Sequence, residues 1–497
     1  MRQLTGLDAT FLYVETDKQF GHVSGLSILK RPDDPAYAPY DAWRSSIAAR
    51  LHLLEPLRRR LVEVPFGLDH PFWIEDLDFD LDYHVRHTAI PPPGGEEQLS
   101  SLIARIIGRP LDRRHPLWET YVIEGLPDDR FAILTKVHHS TVDGASGAEL
   151  LTMMLDDSPE GSEIPPPTEE WKPEPEPSPT DVLARAAVSV ARKPGRFLLL
   201  GARAAREIGE ATRNPVLVAA AQQARAQLRG PLGALLNRGR EHDASLDKPA
   251  TGGTAAPRTP FNSTITAHRR FAFRSQSLND IKTVKNAIGA TVNDVVMAMC
   301  AGGLRTYLEN HDALPDEALV AMVPVSIRTG LEEHKWTNRV SSLLAALPTN
   351  EPDPLERIRL VHESMNDAKE LFNAIPAETL MDFTQFSPPA VFAQAVRTST
   401  RLRLGERLSP AANVTVSNVP GPRNALYMAG AELIHYYPVS TIMDGQGLNI
   451  TVQSYRDSLD WGLVSCRELI PDLWDLLDNI CDELAVIAKA GGISLAG

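Results

Sequence analysis

The sequence predicts an α+β fold built as two halves. The chain has 497 residues and is 43% apolar, and single hydrophobic cores stop growing beyond roughly 250 to 300 residues, so two comparable units are expected. Helix-like and strand-like patterns mix along the chain, and no short-period repeat indicates a solenoid. An acidic, proline-rich stretch separates the two halves.

The predicted first half, residues 1–158, contains helices followed by a strand that ends in a turn. Residues 42–62 and 98–108 carry apolar side chains at helical spacing. The run FAILTKVH, from Phe131 to His138, has the length and composition of a strand. The next segment, STVDGASG, is rich in Ser, Asp and Gly and predicts a turn.

The predicted connector, residues 159–260, begins in a segment whose prolines and acidic residues disfavour helix and sheet alike. Residues 180–240 are rich in Ala and Arg, and two interpretations stay open for them. Basic amphipathic helices can lie on an anionic membrane surface, and they can also form a solvated helical pair packed across the two halves. The domain boundary is expected within this connector.

The predicted second half, residues 261–497, alternates helices with strands. The helices are expected at 277–287, 292–308 and 472–489, and the strands at 319–327, 340–347, 413–417, 448–455 and 460–466.

Charge and cysteine content exclude several classes of protein. A formal net charge of -14 argues against a nucleic-acid partner, which normally requires a basic surface. The three cysteines, Cys300, Cys466 and Cys481, form no CxxC pair and support neither a disulfide framework nor a thiolate zinc site. The N-terminus lacks a signal-peptide pattern, and no run approaches the ~20 apolar residues of a membrane span. A cytoplasmic protein is expected, with peripheral attachment to a membrane or lipid droplet left open.

The segment HHSTVDG carries the candidate chemistry, because His138, His139, Asp143 and Gly144 follow directly on the predicted strand. Imidazole is suited to remove a proton from an alcohol near neutral pH, since its ordinary pKa is about 6.5. Asp143 can orient that ring or hold the loop through an arginine, and Gly144 allows a positive φ.

Two other interpretations of the histidines compete with catalysis. A histidine on an apolar strand is often a hydrogen-bonded core group, but adjacent side chains point to opposite faces, so at least one of His138 and His139 faces the core or a cleft. A metal site is disfavoured because adjacent histidines on a strand diverge and no third-ligand cluster is visible. GxSxG, phosphate-loop and dinucleotide-binding motifs are absent, which favours direct transfer over a covalent route.

The HHSTVDG segment resembles the HHxxxDG signature of the coenzyme A-dependent acyltransferase superfamily. The rest of the chain resembles the bacterial wax ester synthase/diacylglycerol acyltransferase family almost end to end. The similar segments, in the family's order, are LTGLDATFLYVET, PLDRRHPLWE, NSTITAHRRFAF, ATVNDVVMAM, VPVSIRT, NRVS and VSNVPGP. Thr337 departs from the glycine usual in the family and leaves the role of that turn open.

The resemblance implies two chloramphenicol-acetyltransferase-like halves, each a mixed sheet with helices, joined by a crossover and separated by a solvent tunnel. It implies transfer of a long acyl chain from acyl-CoA, as co-substrate, to the hydroxyl of diacylglycerol or a fatty alcohol, with no metal and no cofactor. It places the base at His139, beside His138, and makes Asp143 a structural residue paired with Arg328. Truncating one member of a buried ion pair costs about 3 to 5 kcal/mol, so Asp143→Ala should lose folded protein as well as rate.

Further candidates follow from the same segments. Thr291 and Asp294 have the spacing of a capping box, which leaves Asn293 free to face the cleft. Ser417 and Asn418 could donate hydrogen bonds to an oxyanion, although a plain turn is an equal alternative.

Pro116, Leu117 and Trp118 are expected to form a packed wall of the tunnel, since tryptophan buries a large apolar area. Two rival functions stay open at this point: a condensation or polyketide-associated acyltransferase that uses a carrier protein, and a non-catalytic lipid-binding homologue. The acceptor preference, the acyl chain length and the oligomeric state do not follow from the sequence.

Overall fold

The computed structural model describes residues 1–141, 153–167, 175–178, 180–185, 188, 256–326, 340–373 and 409–495. Asp143, Gly144, Arg328 and Thr337 lie outside this part of the chain, and so does most of the predicted connector, including nearly all of residues 180–240. The predictions made for those residues stay predictions.

The first half is built on a mixed sheet whose described strands follow the order β12-β13-β2-β7-β6-β5. Only β5 and β6 pair in parallel, and β2 pairs with β7 along its whole length, from His22 opposite His138 to Lys30 opposite Arg130. The predicted strand at 131–138 is confirmed. The strands are β2 (His22–Lys30), β5 (Val85–Ala89), β6 (Trp118–Glu124), β7 (Arg130–His138), β12 (Tyr427–Met428) and β13 (Ala431–Val439).

The second half is built on another mixed sheet, with the strand order β10-β9-β11-β14-β15-β8. Strand β11 pairs in parallel with both β9 and β14, and the remaining pairings are antiparallel. All five predicted strands of this half are confirmed. The strands are β8 (Arg269–Ser277), β9 (Leu319–Ser326), β10 (Val340–Leu347), β11 (Val414–Val419), β14 (Leu448–Tyr455) and β15 (Ser458–Cys466).

Helices cover both sheets, and most of them lie where the sequence predicts. The helices are α1 (Gly6–Tyr13), α2 (Pro39–Arg50), α3 (Leu81–His84), α4 (Glu96–Ile107), α5 (Leu278–Ile288), α6 (Val292–Asn310), α7 (Pro354–Asn373) and α8 (Leu473–Ala490). The predicted helix at 42–62 is wrong beyond Arg50, where the chain forms a 3₁₀ turn at Glu55–Arg58 and then strand β3 (Arg59–Val62). Pro56 lacks the amide hydrogen that a continuing α-helix needs.

Strand β13 joins the two halves, because it comes late in the chain and completes the sheet of the first half. It pairs with β2, with Val439 opposite Ser24 and Tyr437 opposite Leu26. The carboxylate of Asp460, in β15 of the second sheet, accepts a hydrogen bond from the Tyr436 amide over 2.8 Å. The division of the chain at residues 158 and 261 therefore does not coincide with the division into two sheets, because β13 follows residue 261 but belongs to the first sheet.

The surface between the two halves is an apolar layer with α4 at its edge. A shared cluster contains Leu26 and Leu134 of the first sheet, Phe271 and Val464 of the second sheet, and Ile103 of α4. The hydroxyl of Ser100 on α4 also donates to the Phe271 carbonyl of β8. Helix α4 thus contacts both halves at once, and the predicted α+β architecture of two joined halves is confirmed.

Two smaller features complete the described structure. Strands β1 (Arg2–Gln3), β4 (Phe72–Glu75) and β3 form a small separate sheet in the order β1-β4-β3. Among the described helices, none is by itself long and apolar enough to cross a membrane, while α5 and α6, bent by 100° at their junction, meet that length and composition test as a pair.

Candidate active site

The end of β7 and the start of β2 place the two predicted histidines. The amide of His138 donates to the Leu117 carbonyl over 2.9 Å, and the amide of His139 donates to the Gly21 carbonyl over 2.8 Å. These bonds hold the backbone of the pair from both sides, so the direction of each ring is set by the sheet. We call the residues Glu15, Gly21, His138, His139 and Ser140 the histidine end of the first sheet.

His138 is buried and both of its ring nitrogens face protein groups. Its Nδ1 lies 3.1 Å from the Ser140 amide nitrogen and 2.7 Å from the Ser140 hydroxyl. Since a backbone N–H can only donate, Nδ1 accepts, and the ring proton resides on Nε2. Nε2 lies 3.2 Å from Oε1 of Glu15, at an angle too poor for a well-formed hydrogen bond, so this contact is mainly electrostatic.

Glu15 is the charged partner of this ring. Its Oε1 accepts from the Gly21 amide over 2.7 Å, and its Oε2 accepts from Arg113 over 2.8 Å. Burial acts to raise the pKa of Glu15, but the contacts with His138, Gly21 and Arg113 outweigh it and lower the pKa to about 2. The carboxylate therefore stays ionised and holds the proton of His138 on the nitrogen that faces it.

Gly21 allows the close approach of these groups. A Cβ at position 21 would lie 2.6 Å from Nε2 of His138 and 2.7 Å from the Phe11 carbonyl oxygen. Real side chains essentially never show such a short distance, so any larger residue displaces the histidine or the end of α1.

His139 differs from its neighbour because its ring is only partly buried. The ring stacks on Phe11 of α1, with centroids 4.0 Å apart and planes within 11° of each other. This stacking orients the imidazole without using its in-plane nitrogens. The structure therefore distinguishes the tandem histidines: His138 is buried with its ring in polar contacts, and His139 is partly exposed with its ring stacked on Phe11.

Buried polar residues beneath the histidine end connect it to α4. Lys136, two residues before His138 in β7, donates to the Arg109 carbonyl over 2.6 Å. His22, opposite His138 in the sheet, lies with Nε2 3.0 Å from the Ile107 carbonyl oxygen. Burial, reinforced by the charge of Lys136, holds the pKa of His22 well below its ordinary value, and burial lowers the pKa of Lys136 to about 8.

The predicted capping box at the start of α6 is confirmed. The Thr291 hydroxyl accepts from the Asp294 amide over 3.1 Å, and the Asp294 carboxylate accepts from the Thr291 amide over 3.0 Å. The same carboxylate lies 2.8 Å from Nδ1 of His362 on α7. Asn293 lies in the first turn of α6 and is partly exposed, so its proposed role at the cleft stays a prediction.

Ser417 and Asn418 lie in the last part of β11 and are partly exposed. Ser417 is opposite Thr451 of β14, and the hydroxyl of Thr451 lies 2.8 Å from that of Ser440, which follows β13. The end of β11 therefore lies near Ser440, the residue that follows β13 of the first sheet. A role in oxyanion stabilisation stays a prediction.

Pro116, Leu117 and Trp118 are all buried at the start of β6. The indole of Trp118 donates to the Leu57 carbonyl over 2.8 Å and stacks on His84 with centroids 4.5 Å apart. Leu117 packs in an apolar cluster with Leu12, and its carbonyl receives the His138 amide. These residues support the histidine end from below, and the prediction that they line a tunnel stays open.

Phe11 and Glu15 are the residues that the sequence reasoning missed. Both lie in LTGLDATFLYVET, which the family resemblance had marked as a whole without assigning a role to any member. No spacing rule connects them to the histidines, since the contact depends on α1 packing against the end of β7. Among the described residues, no group of three or more His, Cys, Asp or Glu side chains is placed to hold a metal ion.

Comparison with known families gives two matches that together cover most of the chain. Residues 4–296 match the model of the wax ester synthase/diacylglycerol acyltransferase catalytic domain, and residues 336–488 match that of the WS/DGAT C-terminal domain. A Mycobacterium tuberculosis protein described as a candidate diacylglycerol O-acyltransferase is 36% identical over 99% of this chain and 100% of its own length. These matches span both predicted halves.

Solved structures agree with the family matches. The wax ester synthase/diacylglycerol acyltransferase from Marinobacter aquaeolei VT8 is similar with a TM-score of 0.67 and 32% identity, covering 99% of this chain and 100% of its own. The first condensation domain of the CDA synthetase has a TM-score of 0.54 at 16% identity, covering 100% of this chain and 99% of its own, and it shows a shared fold alone. The predicted fold of two chloramphenicol-acetyltransferase-like halves is confirmed.

Proposed function

This chain belongs to the wax ester synthase/diacylglycerol acyltransferase family and is an acyltransferase, and we propose that it moves a long acyl chain from acyl-CoA to the hydroxyl of diacylglycerol. Fatty alcohols are a second acceptor, because they present the same hydroxyl on an apolar body. The alternative of a carrier-protein-dependent condensation enzyme is not favoured, since the resemblance to condensation domains is one of fold alone.

The observation that carries the mechanism is the different use of the two histidines. His138 has its acceptor nitrogen occupied by Ser140 and its protonated nitrogen facing Glu15, so it cannot take up a proton from a substrate. His139 lies beside it on a rigid strand end with a partly exposed ring. His139 is therefore the group suited to act as the general base.

The proposed reaction is a direct transfer. His139 takes the proton from the acceptor hydroxyl while its oxygen attacks the thioester carbonyl, giving a tetrahedral oxyanion. Collapse of this intermediate breaks the carbon–sulfur bond, and the CoA thiolate leaves and takes up the proton. Glu15 and His138 hold the strand end in place during these steps, and Ser417 and Asn418 are the proposed donors to the oxyanion.

Attachment of the enzyme to a membrane or lipid-droplet surface is part of the proposal, because its acceptors dissolve in lipid. Support comes from the basic composition of residues 180–240, which suits an anionic surface. Co-sedimentation with anionic vesicles tests this point, and a protein that stays in the supernatant at low salt contradicts it.

The central test is His139→Gln in the purified protein, assayed for CoA release from a long-chain acyl-CoA with diacylglycerol and with a fatty alcohol. Loss of the general base should lower kcat by roughly 10²- to 10⁴-fold. Circular dichroism and a thermal melt check that the variant is folded. A folded variant with wild-type turnover would rule out His139 as the base, and absence of transfer by the wild type to both acceptors would reject the proposed function.

A further inference from the structure

A pocket of about 500 Å³ opens where α4 meets the start of β8 and the end of β15. Its most frequent lining residue is arginine, in a chain whose net charge is -14. We call it the basic pocket and define it by Arg105 of α4, Arg109 just after α4, Arg269 and Arg270 of β8, and Arg467 after β15. Its volume is within the range of small-molecule sites.

Three of these cations have no carboxylate partner in the part of the chain that the structure describes. The side chains of Arg105, Arg109 and Arg270 are exposed, and no carboxylate of the described residues lies within ion-pair distance of them. Other arginines are paired, as in Arg31 with Glu124 and Arg86 with Glu119. Three like charges around one concave surface repel each other unless an anion binds between them.

A fourth cation, Arg269, is built into the wall of the basic pocket. Its guanidinium is buried and donates to the carbonyls of Thr266, His268 and Lys18, and it lies 5.2 Å from the ring centre of Phe20. Burial lowers the pKa of Arg269 to about 10, which leaves it charged at neutral pH. A fixed, partly desolvated charge of this kind attracts anions more strongly than a mobile surface arginine does.

The acidic residue Glu468, next to Arg467 in the chain, is already engaged. Glu468 accepts from the Thr266 hydroxyl over 2.6 Å, lies 2.7 Å from Nδ1 of His268 and lies 3.2 Å from Arg467. Its charge is thereby offset by Arg467, and no ion pair joins it to Arg105, Arg109 or Arg270. The pocket as a whole keeps a positive surplus.

The basic pocket is connected to the histidine end through α4. The carbonyl of Arg109 receives the ammonium of Lys136, which lies two residues before His138 in β7. Lys18, whose carbonyl receives Arg269, lies three residues before Gly21. The basic pocket and the histidine end are therefore joined by hydrogen bonds between rigid elements.

From this arrangement we propose that the basic pocket binds the phosphate groups of the CoA nucleotide while the thioester reaches His139. The inference rests on the proposed function, since it assigns a docking site to the acyl donor. The phosphates and the thioester of acyl-CoA lie at opposite ends of the pantetheine arm, so a phosphate site does not have to adjoin the histidine. Phospholipid headgroups carry the same chemistry, but a flat bilayer presents them poorly to a concave pocket.

The test combines Arg109→Gln with Arg270→Gln, and compares this double variant with Arg109→Lys/Arg270→Lys and with Lys489→Gln. Trp474, in the first turn of α8, lines the pocket, and Lys489 is exposed near the other end of the same helix. Lys489→Gln therefore removes a positive charge about 22 Å along the helix from Trp474. Binding of CoA is measured by titration calorimetry. Turnover is measured with a long-chain acyl-CoA and with the matching acyl-N-acetylcysteamine thioester, which has no phosphate.

Each arginine should contribute about three- to tenfold, so the double glutamine variant should weaken CoA binding and raise the KM for acyl-CoA by roughly ten- to hundredfold. The phosphate-free donor should show the same KM with wild type and variant. The lysine variant should recover most of the loss, and Lys489→Gln should resemble the wild type.

Unchanged CoA binding, or an equal loss with both donors, would overturn the proposal. Loss of binding to phosphatidylglycerol vesicles with unchanged CoA binding would overturn it as well and assign the phosphates to lipid. CoA binding does not require turnover, so it is measured even where His139→Gln retains full activity. Failure of the proposed function and failure of this inference are thus distinguished.

Discussion

The histidine end of the first sheet and the helix layer of the second half, formed by α5 to α8, each hold a carboxylate that is largely shielded from water, but the surroundings of the two carboxylates differ. Glu15 has three polar partners, and its pKa lies well below the ordinary value. Glu483 of α8 is paired with Arg357 of α7, and burial raises its pKa because this one partner does not fully offset the loss of water.

The two carboxylates also differ in their surroundings, which are apolar around Glu483 and polar around Glu15. Seven successive residues of α6, from Val295 to Ala301, are fully buried, and Gly302 allows Glu483 and Arg357 to approach the helix. The histidine end instead collects Lys136, His22 and His138 beneath a partly exposed ring. The difference indicates that the helix layer is built for stability, whereas the histidine end accepts buried polar groups in order to position His139.

The largest effect on stability is expected for Glu483→Ala. Removal of one member of a buried ion pair leaves Arg357 uncompensated and should cost about 3 to 5 kcal/mol in the free energy of unfolding. Urea denaturation measures this loss. The matched control is Glu363→Ala, which breaks the exposed pair with Arg359 and should change stability by about 0.5 kcal/mol. Equal losses in the two variants would show that the helix layer does not depend on its buried pair.

Gly21→Ala should disturb both stability and rate. The new Cβ overlaps Nε2 of His138, so we expect a loss of about 1 to 3 kcal/mol and a lower kcat as the strand end shifts. Thermal melts and CoA-release assays measure the two effects. A variant that loses stability but keeps full kcat would contradict the view that this contact positions His139.

Glu15→Gln should change how stability depends on pH. The folded-state pKa of Glu15 is about 2, below its ordinary value of 4.5, so its stabilisation is complete above pH 4.5 and is lost as the pH falls toward 2. We expect a contribution of about 1 to 2 kcal/mol at neutral pH. Chemical denaturation at pH 6, 4.5 and 3.5 should show a steeper decline in wild type than in the variant. Parallel curves would contradict the assigned role of the carboxylate.

The smallest effect is expected at the start of α6. Thr291→Ala removes the side chain that accepts from the Asp294 amide and should cost about 1 kcal/mol without changing KM or kcat. A melt and a steady-state assay check both points, and a large loss of rate would place this helix start at the active site.

The sequence predicted the elements that depend on local pattern. Strand β7, the helices α4 and α6 and the capping box at Thr291 follow from periodicity and from residues a few positions apart. Strand β13 was not predicted, because it contains Pro438 and its partner β2 lies at the other end of the chain. No local pattern encodes a pairing at such a separation.

The candidate site shows the same division between residues that a local pattern reveals and residues that only folding brings together. The histidine pair was found from its motif, and the partners Glu15 and Phe11 were not, since α1 meets the histidines only in the folded chain. The arginines of the basic pocket come from three separate segments and share no motif. The prediction of a helix up to residue 62 was wrong for a local reason, because the apolar spacing continues past Pro56, which the interior of an α-helix disfavours.

Strand β13 also constrains the order in which the molecule can be made. The first sheet stays open along β2 until the ribosome has added residue 439 of 497, so this half cannot finish folding ahead of the second. A fragment ending before Tyr427 would expose the unpaired amides and carbonyls of β2, and such edges recruit other chains. Attempts to express the two halves separately should therefore yield aggregates, whereas co-expression of both pieces could restore the missing strand.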